Sequence, residues 1–229
     1  MNEPAPKPIT RVGVIGDPHA EDERLAAAIV FLQAEGVDAL LCTGDVVTGK
    51  GDANRCCHLL EENGVHTVRG NHDRWFFTDG YMNMLPDATP PDELDLRARA
   101  FLQTLPQTLP FETVRGPLQL AHGTDIDDML AVYPGDGRWV LEANWKLQRL
   151  YAEGEYRVLV GGHTHAPMVR AFDHLTLLNP GTLRRDRDSG ILLADLAAGT
   201  VAFYQFDEAG TVSPAGRPAS LPKPSEEML

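Results

Sequence analysis

The chain has 229 residues, of which 43% are hydrophobic and 23% are charged, so its composition excludes a disordered or collagen-like polypeptide. Twenty Lys and Arg residues against 33 Asp and Glu residues give a formal net charge of −13, which argues against a basic protein that binds nucleic acid non-specifically. No stretch has the ~18 uninterrupted apolar residues that a membrane span needs. The length fits one large domain.

The first part of the chain alternates between two kinds of pattern. Short apolar runs predict buried strands, and segments with apolar residues at helical spacing, each followed by Gly, predict helices. In chain order these are strand 11–15, helix 21–35, strand 38–43, helix 54–63 and strand 65–68. This order is typical of a largely parallel α/β sheet.

The segment from about 75 to 110 differs in character and predicts a small cap or side lobe with a helix at 92–105. Its aromatic residues could stack on a base or an aryl group, or pack the cap onto the body, and we favour packing. These residues are Trp75, Phe76, Phe77 and Tyr81.

The later part of the chain predicts more strands than helices, so we expect it to form its own mixed or antiparallel sheet. The predicted elements are strands 111–114 and 118–121, helix 138–152, and strands 158–160, 168–172, 175–178, 191–196 and 201–206. We place a single domain at 1–212. Residues 213–229 are rich in proline and predict an extended tail.

The three cysteines, Cys42, Cys56 and Cys57, follow neither a disulfide nor a zinc-binding pattern. Residues 1–8 lack the apolar core of a secretory signal. Both observations favour free thiols in a cytoplasmic protein.

Five predicted strands end in a polar cluster. Ligands bind at the carboxyl ends of strands in α/β sheets, so these clusters are expected to converge. Their candidate donors are Asp17, His19, Asp45, Asn71, His122, His163 and His165. Oxygen and imidazole donors together suit Mn, Fe or Zn. One ion needs about four to six donors, so seven donors with one shared carboxylate favour two ions. Two metal ions can stabilise both the attacking and the leaving oxygen in a displacement at phosphorus.

In sequence order the clusters read GDPH, GD, GNHD, HG and GHTH. This order resembles the calcineurin-like metallophosphoesterase superfamily, over about residues 12–181. Asn179-Pro180-Gly181-Thr182 is also similar to the NPGS or NPGT of small bacterial phosphodiesterases of this group. The resemblance implies an α/β fold in which two sheets form a β-sandwich flanked by helices, in four layers.

The resemblance also implies a role for each residue. The first metal would be held by Asp17, His19 and His165, the second by Asn71, His122 and His163, and Asp45 would bridge them. His72 would be the catalytic residue that stabilises the transition state or protonates the leaving oxygen. Manganese is the ion we most expect, with iron, zinc or nickel as alternatives.

Two positions indicate which branch of the superfamily the chain resembles and which substrates it could hydrolyse. Thr48 stands where the protein-phosphatase branch has a second Asp, which disfavours that branch. Some bacterial relatives have Cys in place of His72; because His is an acid near neutral pH, monoesters as well as diesters become plausible substrates. Nearby arginines could contact phosphate oxygens, and we select Arg74, Arg184 and Arg185. Asp73 could cap the following turn or orient a ligand histidine.

The function predicted from these patterns is that of a phosphodiesterase, which hydrolyses small phosphate diesters, nucleotide-like or cyclic nucleotides among them, with monoesters as further plausible substrates, through attack of a hydroxide shared by two metals. A nuclease and a non-catalytic scaffold on the same fold are the alternatives. The net charge disfavours nucleic acid as a partner. The sequence leaves the oligomeric state open.

Overall fold

The structure is a computed structural model that describes residues 7–78, 85–187, 190–207 and 209–221. Tyr81, for which a packing role was predicted, lies outside these residues, as does the end of the predicted tail. Within the described residues, no helix has the length and apolar character that crossing a bilayer requires.

The first half alternates strands and helices as predicted. Its elements are β1 (Arg11–Ile15), α1 (Asp22–Ala34), β2 (Ala39–Cys42), α2 (Ala53–Glu62), β3 (His66–Thr67), α3 (Asn71–Phe76), a 3₁₀ turn at Pro91–Glu93 and α4 (Leu96–Thr104). Helices α2 and α4 both begin at an Asp, Asp52 and Asp95, whose side chain accepts a hydrogen bond from the backbone three residues on.

The second half contributes most of the strands. Its elements are β4 (Thr108–Thr113), β5 (Gly116–Ala121), α5 (Arg138–Ala143), α6 (Trp145–Glu153), β6 (Val158–Val160), β7 (Met168–Phe172), β8 (Leu175–Asn179), β9 (Ile191–Asp195), β10 (Thr200–Phe206), β11 (Val212–Pro214) and β12 (Ala219–Ser220).

The strands form two mixed sheets. The first has the order β11-β10-β9-β1-β2-β3, with β12 also paired to β10, and the second has the order β4-β5-β6-β8-β7. The prediction that the later strands form a separate sheet is correct for β4 to β8 but wrong for β9 to β12. Strand β9 returns to pair antiparallel with β1, so that Ile191 to Ala194 bury both of their faces at the centre of the first sheet.

The two sheets and the helices on their outer faces form four layers, and a hydrophobic cluster fills each of the three spaces between neighbouring layers. One lies between the two sheets and includes Val12, Val14, Leu41, Leu118, Leu120, Val160, Leu178 and Leu192. A second packs the outer face of the first sheet against α1, α2 and α4, and a third packs the second sheet against α6. Gly13 in β1 permits the close approach of α1, because a Cβ there would lie 2.9 Å from the Leu32 side chain. The predicted α/β sandwich flanked by helices is confirmed.

Local differences from the predicted elements have simple causes. The predicted helix 138–152 is interrupted at Asn144, whose side chain accepts a hydrogen bond from Leu147 N and begins α6 there. Strand β4 begins earlier than predicted and contains Pro110, which is tolerated because β4 lies at the edge of its sheet.

The segment predicted as a cap contributes to the outer helical layer. Helix α4 lies against α2, and its buried residues Ala98 and Leu102 belong to the same core cluster as Leu60. Within the predicted tail, β11 and β12 pair with β10. The domain limits stay a prediction.

Candidate metal centre

The predicted ligands come from segments that follow the ends of five strands. In the first sheet β1, β2 and β3 run parallel, and in the second β5 and β6 run parallel, so the segments after each set emerge at one edge. Hydrogen bonds join the two sheets at this point, including one from His163 N to Asp17 Oδ2 at 2.8 Å. The structure brings all seven predicted ligands into one cluster of contacting side chains.

A first group consists of Asp17, His19, Asp45 and His165, whose possible ligand atoms all lie within 4.8 Å of one another. The Nε2 atoms of His19 and His165 are 3.0 Å apart. Asp17 Oδ2 is 3.3 Å from His165 Nε2, and Asp45 Oδ2 is 3.7 Å from His19 Nε2. This group has the composition of a metal site with two carboxylates and two imidazoles.

A second group adjoins the first through Asp45. Asp45 Oδ2 lies 3.4 Å from His122 Nε2. Asn71 Oδ1 lies 2.9 Å from His122 Nε2 and 2.8 Å from His163 Nδ1. Asp45 therefore contacts members of both groups, which is the position the resemblance implies for a bridging ligand.

The donor chemistry of the cluster fits metal ions. His19 Nδ1 lies 2.9 Å from the Thr48 carbonyl oxygen and His122 Nδ1 lies 2.7 Å from that of Thr43, so both Nδ1 atoms carry the proton and donate it. Both Nε2 atoms then point into the cluster, toward carboxylate and amide oxygens. His19 Nε2 carries a lone pair, whereas the charged His122 carries a proton on Nε2 that a bound metal ion would replace. Carboxylate oxygens and imidazole nitrogens that converge in this way form a donor set that fits a metal ion, and backbone carbonyls that fix histidine tautomers are typical of metal sites.

The two buried carboxylates of the cluster, Asp17 and Asp45, are stabilised by positive charge. Burial opposes ionisation of Asp17 and Asp45, yet the charge of His122 keeps the pKa of both carboxyls below the ordinary value. Burial likewise lowers the pKa of His122, but Asp45 and Asp17 outweigh it and raise this pKa to about 10. Burial lowers the pKa of His19 to about 4, which leaves its imidazole neutral and able to act as a ligand.

The first carboxylate is held by neighbours from both sheets. Thr43 Oγ1 donates to Asp17 Oδ1 at 2.6 Å. The Asp17 carbonyl accepts from Thr182 Oγ1 at 2.8 Å and from Leu183 N at 3.0 Å. The NPGT segment therefore supports the Asp17 loop, while Thr43 orients the carboxylate.

The loop that carries His163 and His165 is held by Asn179. Its Nδ2 donates to the Gly162 carbonyl at 2.7 Å and to Thr164 Oγ1 at 3.1 Å. Its Oδ1 accepts from Gly181 N at 2.8 Å. The sequence showed this Asn as part of a motif but gave no indication of these partners.

Asp73 caps α3 and supports the loop of Asp45. Its Oδ2 accepts from Gly70 N and Asp45 N, both at 2.9 Å, and its Oδ1 accepts from Val46 N at 2.8 Å and Val47 N at 3.3 Å. Burial and the charge of Asp45 raise the pKa of Asp73 to about 6. Asp73 thus caps the start of the helix that contains it and not, as predicted, the turn that follows, and it forms no hydrogen bond to a ligand histidine among the described residues.

Four of the seven ligand positions have a left-handed backbone. The φ angles are 45° at His19, 53° at Asp45, 63° at His163 and 56° at His165. Residues other than Gly adopt this region at a cost, and such residues concentrate at functional sites. The fold holds these ligand-bearing loops in tight turns.

His72 lies at the rim of the cluster. Its Nε2 is 3.9 Å from Asp45 Oδ2, and its ring is 4.9 Å from that of His19 and 5.0 Å from that of Trp75. The side chain is 17% exposed, unlike those of Asp17 and Asp45, which are closed to solvent. Burial lowers its pKa. His72 is therefore beside the candidate ligands and accessible from outside.

The three arginines selected from the sequence each contact a carboxylate. Arg74 forms two hydrogen bonds with Asp128, at 2.6 and 2.8 Å. Arg184 forms two with Asp186, at 2.9 and 3.1 Å. Arg185 contacts Glu21 Oε2 at 2.7 Å and Glu23 Oε2 at 2.9 Å. Their role in substrate binding stays a prediction.

The described aromatic residues after His72 pack onto the body, as the sequence analysis predicted in preference to stacking on a substrate. Phe76 is buried in the core, and Trp75 packs against the same cluster while contacting the His72 ring. Phe77 is 37% exposed and meets the Phe76 ring edge-on.

Comparisons with known proteins identify a family and similar folds. The model of the calcineurin-like phosphoesterase superfamily domain matches residues 10–199. A metallophosphoesterase from Sphaerobacter thermophilus is 18% identical with a TM-score of 0.63, over 91% of this chain and 89% of that one. A hypothetical protein from Pyrococcus horikoshii is 16% identical with a TM-score of 0.66, over 94% and 89% of the two chains.

A curated relative matches over a shorter stretch. Sixty-two residues are 32% identical to an uncharacterised protein from Methanocaldococcus jannaschii, and the match spans only 27% of this chain and 26% of that protein. The family model, by contrast, covers most of the chain, including every predicted ligand. The chain belongs to the calcineurin-like phosphoesterase superfamily.

Proposed function

We propose that this protein is a phosphoesterase that binds two metal ions and hydrolyses small phosphate diesters and monoesters. The observation that carries the proposal is the convergence of seven donor side chains, with Asp45 in contact with members of both groups. Family membership supports hydrolysis of a phosphoric ester.

The residues divide into two sets of ligands. Asp17, His19 and His165 would hold one ion and Asn71, His122 and His163 the other, with Asp45 shared between them. Manganese is the ion we propose, since mixed oxygen and imidazole donors suit it. When bound, two such ions would stabilise negative charge at phosphorus and supply an activated water for in-line attack.

His72 is proposed as the proton donor to the leaving oxygen. It lies beside the ligand cluster, its ring is partly exposed, and its Nδ1 is buried without a hydrogen-bond partner in the described part of the chain. Burial lowers the pKa of His72, and the negative charge of a bound phosphate would favour the imidazolium that this role requires, which could also stabilise charge developing on the phosphate oxygens.

The direct test is hydrolysis of bis-p-nitrophenyl phosphate and p-nitrophenyl phosphate by purified protein with added manganese. We expect turnover that EDTA abolishes and that manganese restores. Asp45→Asn should abolish it, whereas Asp92→Asn, an exposed carboxylate on the 3₁₀ turn, should retain it. Absence of turnover with every divalent metal would contradict the proposal and favour the scaffold alternative.

A further inference from the structure

A cavity of about 430 Å³ opens beside His19, next to the first ligand group. The described residues that line it are His19, Glu21, Gly49, Lys50, Gly51, Asp87, Arg184, Arg185 and Asp186. None of these has an aliphatic side chain, and the only ring among them is the imidazole of His19. The described lining therefore consists of charged side chains and glycine backbone, and apart from His19 it offers no ring on which a nucleobase or an aryl group could stack.

Most charges in this lining cancel in pairs. Arg184 is held by Asp186 and Arg185 by Glu21, so these four side chains already satisfy one another. Lys50 is exposed and forms no hydrogen bond or ion pair within the described residues. It is the cation of this lining that remains available to a ligand.

The backbone on both sides of Lys50 is fixed against the metal-binding segment. A Cβ on Gly49 would lie 1.7 Å from the His19 carbonyl oxygen, and one on Gly51 would lie 2.0 Å from that of Ala20. Only glycine permits this approach, so the loop holds Lys50 directly beside the segment that carries His19.

The space extends away from the ligand cluster. A second cavity of about 500 Å³ shares Gly49, Gly51 and Asp87 with the first. A group larger than phosphate therefore has room beyond His19. Asp87 lines both cavities without an ion pair within the described residues, and the second cavity is also lined by Asp52 and Glu93. These carboxylates disfavour a highly charged anion, and Lys50 is the group of the first lining that can offset their charge for a ligand with a single negative charge.

We propose that Lys50 is a specificity-determining residue that binds a carboxylate on the alcohol part of the substrate. The substrate class would be phosphate esters of hydroxy acids, with the phosphate at the metal cluster and the carboxylate in the cavity. This inference rests on the proposed phosphoesterase function. A lysine ammonium forms a charge-assisted hydrogen bond with a carboxylate, which a neutral group of the same size cannot match.

Binding of phosphonates tests the inference without turnover, because their P–C bond resists hydrolysis. Phosphonoacetate, 3-phosphonopropionate and 4-phosphonobutyrate are each compared with the alkylphosphonate of equal length, by calorimetry on the manganese-loaded full chain. At one chain length at least, the carboxylate should bind about tenfold more tightly. Lys50→Ala should remove this preference, and Lys50→Arg should keep it. Lys7→Ala, which removes an exposed lysine elsewhere, should also keep it.

Equal affinity of the paired ligands at every length would overturn the inference, as would a preference that survives in Lys50→Ala. Failure of the proposed function is a separate outcome. A protein that hydrolyses bis-p-nitrophenyl phosphate but shows no carboxylate preference refutes only the role of Lys50. A protein with the preference but without turnover on any phosphate ester refutes only the catalytic proposal.

Discussion

Replacement of Thr43 by Val tests whether the hydrogen bond to Asp17 prepares that carboxylate for a metal. Both side chains are closed to solvent, and Thr43 Oγ1 donates to Asp17 Oδ1 at 2.6 Å. Valine has nearly the same shape, so the change removes the hydroxyl donor without creating a cavity. A hydrogen bond to a charged group is worth about 1.5–3 kcal/mol, and the free energy of unfolding of the metal-free protein should fall by about that amount.

Thr43→Val should also weaken the affinity for manganese, because the lost hydroxyl orients a metal ligand. Loss of a residue that orients a metal ligand typically weakens affinity by about 10- to 100-fold. Urea unfolding in EDTA measures the first effect, and titration with manganese against a competing chelator measures the second. The backbone carbonyl of Thr43, which accepts from His122, is unaffected by the substitution.

Thr113→Val is the matched control. Thr113 is also buried, and its Oγ1 donates to the Gly116 carbonyl at 2.6 Å, in the turn between β4 and β5 at the opposite end of β5 from His122. This variant should lose about 1–2 kcal/mol of stability and keep manganese affinity within about twofold. If Thr43→Val binds manganese as tightly as the unaltered protein, the proposed orientation of Asp17 is refuted.

Three further predictions concern residues around the cluster. His72→Ala should lower kcat by about 10²- to 10⁴-fold while the protein retains its manganese, as elemental analysis can show; full activity toward all substrates would refute the role of His72. Asn179→Ala should lower the free energy of unfolding by about 2–4 kcal/mol and weaken manganese binding, because the Gly162 carbonyl loses its hydrogen-bond donor. An unchanged urea unfolding curve and an unchanged manganese affinity would contradict this. Burial raises the pKa of all three cysteine thiols, Cys42, Cys56 and Cys57. Ellman's reagent should therefore react with no thiol in the native protein and with all three after denaturation. Rapid reaction of the native protein would argue against the buried positions of these cysteines.

The convergence of the ligands could be predicted because it depends on a simple rule of sheet geometry. Apolar runs marked the strands, and parallel strands present their carboxyl ends at one edge. The same rule does not say which sheet a late strand joins. Strand β9 is apolar at every position from Ile191 to Ala194, a pattern that fits the centre of either sheet, and its pairing with β1 is set by tertiary packing.

The supporting contacts of the centre were harder to predict than its ligands. Thr43 is one of many threonines in the chain, and its hydroxyl gains a role because Thr43 and Asp17 follow the ends of two neighbouring strands, β2 and β1. The arginines show the converse difficulty. Their charge suggested phosphate binding, but carboxylates already pair with them, from a distant segment for Arg74 (Asp128) and from two residues away for Arg184 (Asp186). Lys50 carried no sequence signal and gains its interest from a cavity that only the fold creates.

The central claim is that one chain holds two metal ions through seven side chains, and metal stoichiometry tests it most directly. Protein dialysed against manganese at equilibrium is analysed for metal content per chain, alongside Asp45→Asn. The account predicts two ions per chain in the unaltered protein and fewer in the variant, since Asp45 contacts both groups. A value of one or none in the unaltered protein, across manganese, iron, zinc and nickel, would contradict it.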